Sequence, residues 1–294
     1  RGLDTLGVSL EWLPGKIAVT GCGGAFPAAR EVTIDCGNSG TTLRLLASAA
    51  LLSQHPVVLT GSPRMLERPV GPLAGALRTL GGEVTFTGEP GYPPIRISGR
   101  LRGGKAEIDG SVSSQFISSI LMAAPYADND VELALPATPA SRSYLDVTAD
   151  VMLRFGARLD RRGYDWFRVE SGVPYQGRAY RIEGDYSSAS YLFAVAAVCG
   201  GRATVTGLNP ASVQGDRRFL DALEAMGCRV TAGRDVVTVE RADDLAGIEI
   251  DMSSSPDTVQ TLAAVAAVEA SPTTITGTAH LQYKESDRVG VTAD

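Results

Sequence analysis

The stretch IDCGNSGTTLRLLASAALL, residues 34–52, joins an Ile-acid pair to a polar, glycine-rich loop and then to an apolar helical run. The same succession returns as IDGSVSSQFISSILMAAP (108–125), IEGDYSSASYLFAVAAV (182–198) and IDMSSSPDTVQTLAAVAAV (250–268). The leading isoleucines are spaced by 74, 74 and 68 residues. Self-similarity at a steady period marks a chain built from one repeated supersecondary unit. Two further marks keep the same beat. A β-branched segment follows each helix: VVLTG (57–61), VELAL (131–135), ATVTG (203–207) and TTITG (273–277). Glycines at 7, 81, 156 and 227 close later helical segments.

Periodicity gives the content of each unit. The Ile-acid segment predicts a strand, and the Ser/Thr-rich loop supplies N-cap hydroxyls to the helix after it. The VxLTG segment predicts a second strand stopped by glycine. An amphipathic helix follows, as over 71–80 and 217–226, with glycine as its C-cap. Two short strands close the unit, for example over 83–87 and 95–98. The order is βαβαββ, an α/β (α+β) architecture of sheets with helices packed on one side. Thr5-Leu6-Gly7 matches Thr79-Leu80-Gly81, so residues 1–30 read as the tail of a preceding unit. The glycine that would follow Gly227 falls beyond Asp294, so the sequence reads as a fragment lacking both termini. The Gly/Pro-containing stretch GVPYQGRAYR (172–181) places a boundary near 181. The first domain then covers 1–181, a partial unit plus two units, and the second 182–294, one full and one truncated unit.

Composition bounds the function. The 294 residues carry a formal net charge of −6, which disfavours a nucleic-acid or membrane-surface binder because both need a positive field. The apolar runs at 43–52, 191–198 and 261–270 are too short to span a bilayer and predict buried helices. No charged-then-apolar leader opens the sequence, and a cytoplasmic location is expected. Four cysteines without CxxC spacing and two histidines argue against a zinc site.

The polar loops lie at helix N-termini, where unpaired N–H groups and the helix dipole favour anions, although capping alone also explains any single loop. GNSGTT (37–42), followed by Arg44, is the strongest of them. Arg64 and Arg68 in RMLERP (64–69) precede a helix starting near Pro69, and arginine suits bidentate contact with carboxylate or phosphate. YKESDR (283–288) places Lys284 and Arg288 four apart, on one helical face if the segment is helical. Solvated surface charge is the plain alternative for both clusters. Asp257 takes the slot that Ser114 and Ser188 hold in other units. It is either a helix cap or, beside a bound anion, a proton carrier. Glu285 is a second acid. His55 reads as structural, and His280 directly precedes the basic cluster.

Taken in order, GNSGTTLR (37–44), RMLERP (64–69), SSQF (113–116), SRSYLD (141–146), GDYSSASY (184–191), SSPD (254–257) and YKESDR (283–288) resemble the 5-enolpyruvylshikimate-3-phosphate synthase family. The resemblance covers essentially the whole chain. It implies two domains of the enolpyruvyl transferase type, an inside-out α/β barrel. It implies transfer of the enolpyruvyl group of phosphoenolpyruvate to the 5-hydroxyl of shikimate 3-phosphate, with release of phosphate and no metal or organic cofactor. Carried over by position, Ser113, Ser114, Gln115, Ser141, Tyr144, His280 and Lys284 would hold shikimate 3-phosphate, with Arg142 beside them. Asn38, Gly40, Arg64, Gln115 and Arg288 would hold phosphoenolpyruvate. Asp257 would deprotonate the 5-hydroxyl, while Glu285 and Lys284 would handle the proton at the methylene carbon. A monomer is expected, and Gly40 leaves room for glyphosate as an inhibitor. His280 stands where many members have Asn, and Leu281-Gln282-Tyr283 departs from the family pattern. The alternatives are the sister enzyme acting on UDP-N-acetylglucosamine, which carries a catalytic cysteine on a mobile loop, and a non-catalytic anion-binding fragment.

Overall fold

The structure, a computed structural model, describes residues 1–241, 244–269 and 271–293. The chain divides into two compact units. The first comprises residues 1–140, 148–178 and 283–286; the second comprises 141–147, 179–282 and 287–294. The division therefore falls inside the helix Ser143–Arg154.

Unit 1 contains the βαβαββ repeat twice. In the first copy Val32–Asp35 pairs in parallel with Val57–Thr60, which pairs antiparallel with Ile95–Gly99, itself antiparallel to Gly82–Phe86. The second copy repeats this with Gly104–Glu107, Val131–Ala134, Trp166–Val169 and Leu159–Arg162. A parallel pair needs a crossover helix. Those helices are Gly40–Ala49 and Gln115–Ala123, which pack side by side. Phe116, Ile117, Ile120 and Leu121 of the second are fully buried. Each contributes about 1.5–3 kcal/mol by removal from water. A helix at Gly2–Thr5 and a hairpin of Ser9–Leu13 with Lys16–Thr20 precede these copies, and its Trp12 and Val19 face solvent.

Unit 2 has a three-stranded sheet, Arg202–Thr206 beside Val236–Arg241 beside Cys228–Ala232, and a parallel pair, Glu249–Asp251 with Thr274–Thr276. Helices Tyr186–Cys199 and Val259–Ala266 pack together over a core of Phe193, Phe219, Leu223, Val237, Val239, Leu262 and Val265. The strand expected at Ile182-Glu183 is not formed. Those residues lie outside any ladder and Ile182 is exposed. A single backbone bond from Gly184 N–H to Gly207 O (2.7 Å) remains where the other units have a parallel pair. The run 191–198, expected to be buried, also differs: Tyr191, Leu192 and Val195 are exposed because only one stripe of this apolar helix meets the core.

The marks of the repeat have distinct physical jobs. Gly7, Gly81, Gly156 and Gly227 all have φ between 86° and 109°. Each donates its N–H to the carbonyl three residues back, on Asp4, Arg78, Leu153 and Glu224. A side chain resists that left-handed geometry, so glycine ends these helices. Asp35, Asp109 and Asp251 each accept the N–H two residues on, from Gly37, Ser111 and Ser253, at 2.8 Å. Such an Asx turn takes the chain out of the strand and toward the helix. In the third unit Asp185 rather than Glu183 acts, capping Tyr186–Cys199 through the N–H groups of Ser187 and Ser188. Ser39 caps the first helix by accepting from Thr42, whereas Ser114 makes no such bond.

A fourth mark lies inside the helices. Ser119 Oγ donates to Arg44 O (2.5 Å) and meets Ser48 Oγ at 2.6 Å, joining the two helices of unit 1. Ser190 Oγ meets Thr261 Oγ1 at 3.3 Å in unit 2. Positions 48, 119, 190 and 261 are 71 apart in each step. One turn upstream the same spacing collects Arg44, Gln115, Tyr186 and Asp257.

Candidate functional site

That upstream position carries chemistry in both units. In unit 1 it holds Arg44, on the second turn of Gly40–Ala49, and Gln115, at the start of Gln115–Ala123. Arg44 is 4% exposed. Its Nη1 donates to Ser113 Oγ (3.1 Å) and Gln115 Oε1 (3.0 Å), and Gln115 Nε2 donates to Thr41 Oγ1 (2.9 Å). The guanidinium lies 5.1 Å from the Phe116 ring centroid, an attractive cation–π contact. Its Nη2 is buried and makes no hydrogen bond. Burial, then repulsion from Arg68, pushes the Arg44 guanidinium down to about 10, with Glu285 opposing. It stays protonated at neutral pH. A desolvated cation with an unsatisfied donor at paired helix N-termini has the electrostatics to attract an anion.

Arg68, 2% exposed, is the second buried guanidinium at these helix ends. It donates to Asn38 O (3.2 Å) and to Glu285 Oε1 (3.3 Å). It lies directly against Gly40, where an added Cβ would stand 2.5 Å from Arg68 Nη2. Gly40 is thus the residue that lets this guanidinium reach the helix end. Arg64 sits on a short helix, Pro63–Leu66, rather than on a loop, and donates to Glu67 (3.0 Å) and to Lys284 O (3.3 Å). Unit 1 so gathers Asn38, Gly40, Arg64, Ser113, Ser114, Gln115, Lys284 and Glu285. Both arginines of RMLERP are visible in the sequence, but only the structure tells which one is buried against Gly40.

Unit 2 gathers Ser141, Tyr144, Asp257, His280 and Arg288. Asp257 Oδ1 accepts from Arg288 Nη1 (2.6 Å) and Oδ2 from the Tyr144 hydroxyl (2.6 Å). Ser141, held at φ 54°, places Oγ 3.2 Å from His280 Nε2. Ser143 Oγ donates to Ser254 O (2.6 Å), and Gly215 leaves room for that approach, since a Cβ there would collide with both residues. Arg218 donates to Ser254 Oγ (2.8 Å). The Asp251 carboxyl lies below its usual range, chiefly through the Ser253 N–H, with the charges of Arg218 and Arg142 adding.

Two expectations need correction. Lys284 and Arg288 do not share a helical face: residues 284–287 are irregular, the helix is Arg288–Ala293, and the two residues belong to different units. Asp257 does not occupy the slot of Ser114 or Ser188. The hydroxyl register aligns it with Gln115 and Tyr186, and its carboxylate serves Tyr144 and Arg288 instead of capping the helix.

Sequence reasoning missed Asp216. This side chain is 3% exposed, at the start of a 3-10 turn, with Oδ2 accepting from Ser187 Oγ (2.6 Å) and lying 3.0 Å from the Tyr144 hydroxyl oxygen. Burial, then the charge of Asp257, pushes it up, while the bonds from Ser187 and Tyr144 pull it down. Burial and the same two carboxylates push the Tyr144 phenol far above its ordinary range. The signal available was an acid in Gln214-Gly215-Asp216, 31 residues after Asp185.

Among the described residues no group of three or more His, Cys, Asp or Glu side chains is arranged to hold a metal ion. No helix among them is long and apolar enough to cross a membrane. All four cysteines are free, and burial pushes the Cys36 thiol up to about 11, so it is no thiolate nucleophile at neutral pH.

Buried arginines at paired helix ends in unit 1, and a carboxylate clamped by phenol and guanidinium in unit 2, stand on an α/β repeat scaffold. The family model described as EPSP synthase (3-phosphoshikimate 1-carboxyvinyltransferase) matches residues 1–294. The chain is 85% identical over 294 residues to the 3-phosphoshikimate 1-carboxyvinyltransferase of Methanoculleus marisnigri, covering 100% of this chain and 70% of that protein. It is 41% identical over 296 residues to the protein of that name from Serratia proteamaculans, covering 100% of this chain and 69% of the relative. The solved EPSP synthase of Acinetobacter baumannii superposes with a TM-score of 0.77 at 27% identity, over 99% of this chain and 67% of that one. The chain belongs to the EPSP synthase family.

Proposed function

We infer that the protein transfers the enolpyruvyl group of phosphoenolpyruvate to the 5-hydroxyl of shikimate 3-phosphate and releases phosphate, as its family membership carries. In the first step the 5-oxygen bonds to C2 of phosphoenolpyruvate while C3 gains a proton. In the second, a C3 proton leaves as the C2–phosphate bond breaks. The two steps need a base for the hydroxyl and an acid–base partner for C3.

Asp257 is proposed as the hydroxyl base. Its support is a carboxyl group held between the Arg288 guanidinium and a phenol. Glu285 and Lys284 are proposed for the proton at C3. Arg44 and Arg68, beside Asn38 and Gly40, are proposed to hold the anionic end of phosphoenolpyruvate, with Gln115, Arg64 and Arg288 contributing. The observation carrying this is the buried, unsatisfied Arg44 Nη2 at the helix ends. Ser113, Ser114, Ser141, Tyr144, His280 and Lys284 are proposed for shikimate 3-phosphate, with Arg142 near them. Glyphosate, whose phosphonate and carboxylate suit the same cations, is proposed to compete with phosphoenolpyruvate. A monomeric, cytoplasmic enzyme is proposed on the family membership alone.

Phosphate release from phosphoenolpyruvate tests the substrate. Release with shikimate 3-phosphate and none with UDP-N-acetylglucosamine is expected; the reverse would refute it. Asp257→Ala should abolish turnover and leave shikimate 3-phosphate binding nearly intact. Unchanged turnover would remove Asp257 from the mechanism.

A further inference from the structure

Three oxygen contacts run in series through unit 2: Ser187 Oγ to Asp216 Oδ2 (2.6 Å), Asp216 Oδ2 to Tyr144 OH (3.0 Å), and Tyr144 OH to Asp257 Oδ2 (2.6 Å). Each contact between oxygens at such distances needs one proton. Ser187 and Tyr144 have one hydroxyl proton each, so two donors stand against three contacts. The phenol proton belongs with the shorter contact, on the side of Asp257, whose other oxygen is occupied by Arg288. The phenol oxygen then faces Asp216 with a lone pair. Two lone pairs at 3.0 Å inside a buried cluster repel, and the missing proton must come from Asp216 itself.

We propose that Asp216 is a positioning residue that carries a proton, donates it to the Tyr144 oxygen, and so fixes the phenol as a donor to the Asp257 carboxylate. This rests on the reading of Asp257 as the base. The surroundings favour a neutral Asp216. Its Oδ1 is buried without a hydrogen bond, a large cost for a carboxylate and a smaller one for a carboxylic acid. The charged groups acting on it from other elements are Asp185 beside the helix Tyr186–Cys199 and Asp257, both negative. Arg288, on its own helix, is engaged with Asp257, and Arg218, on the same turn as Asp216, with Ser254. A carboxylic acid relaying through a phenol would keep Asp257 ionised and correctly turned without adding a second negative charge beside it.

The test compares Asp216→Ala with Asp216→Asn in the complete protein, reading steady-state kinetics and the pH titration of the Asp257 side-chain carbon by NMR. Removing the donor should lower kcat by about 10-fold or more, as expected for a disturbed proton-transfer group, with both KM values little changed. The Asp257 midpoint should rise in Asp216→Ala, because the phenol loses its fixed orientation. Asparagine is neutral and keeps a donor, so Asp216→Asn should restore kcat to within about threefold and leave the midpoint in place. A midpoint that falls in Asp216→Ala would show that an ionised neighbour had been removed, and would overturn the proposal. So would an asparagine variant as damaged as the alanine one, or an alanine variant with unchanged kcat. Failure of Asp257 as the base is a separate result: Asp257→Asn would keep turnover while the Asp257 titration still responded to Asp216→Ala.

Discussion

Replacing Gly40 by alanine tests the proposed anion seat with one methyl group. The added Cβ would lie 2.5 Å from Arg68 Nη2 and 2.8 Å from its Cζ and Nη1. Ordinary contact begins at about 3.5 Å, so the guanidinium must retreat by about 1 Å. It has little freedom to do so, being 2% exposed and tied to Asn38 O and Glu285 Oε1. Retreat removes Arg68 from the helix end and forfeits a charge-assisted hydrogen bond to a bound anion, worth about 1.5–3 kcal/mol. At about 1.4 kcal/mol per tenfold, KM for phosphoenolpyruvate should rise by roughly 10- to 100-fold. KM for shikimate 3-phosphate should change by less than about threefold, since the displaced group is assigned to the other substrate. Initial rates of phosphate release over a grid of both substrates supply the two constants. An unchanged KM for phosphoenolpyruvate, or equal rises for both substrates, would refute the assignment of Arg68.

Arg68→Ala should weaken phosphoenolpyruvate more than Arg64→Ala, because Arg64 lies against Glu67 and the Lys284 carbonyl while Arg68 lies against Gly40; the two KM values decide. Ser119→Ala removes the hydroxyl that joins the unit 1 helices through the Arg44 carbonyl, the Ser48 hydroxyl and the Ser48 N–H. Urea unfolding should show a loss of about 1–2 kcal/mol, and Ser190→Ala, whose cross-helix contact is a single 3.3 Å bond, should lose less. Asp251 is held below the usual carboxylate range by the Ser253 N–H, so its stabilisation is complete above the unfolded value of about 3.9 and is lost as pH falls through its lower folded value. The difference in urea midpoint between wild type and Asp251→Ala should therefore shrink as pH is lowered from about 6 to about 3.

The repeat was legible because its marks answer to backbone geometry. Glycine at 7, 81, 156 and 227 is required by a left-handed helix end, and aspartate at 35, 109 and 251 by an Asx turn. Such needs act over two or three residues and leave a trace in any sequence. The unformed strand at Ile182-Glu183 was not legible, since pairing depends on a neighbour and not on the segment's own β-propensity. The irregular stretch 284–287 likewise defeats a spacing argument that assumes helix. The motifs delivered most of the candidate residues but not their contacts. Sequence cannot tell that Arg68 rather than Arg64 turns inward. Nor can it tell that Asp216 meets Tyr144 across 72 residues, because both outcomes come from tertiary packing. The 71-residue register that puts Arg44, Gln115, Tyr186 and Asp257 in one slot was present in the sequence. It became visible only once Ser48 was seen bonded to Ser119, and Ser190 to Thr261.

Proton NMR of the reaction in D₂O reaches the enolpyruvyl transfer most directly. With phosphoenolpyruvate and shikimate 3-phosphate together, new vinyl ether resonances should appear, partly deuterated because C3 gains a solvent proton before losing one. Neither substrate alone should give them. Vinyl signals that formed without shikimate 3-phosphate, or that formed with no deuterium at all, would contradict the addition and elimination assigned to this chain.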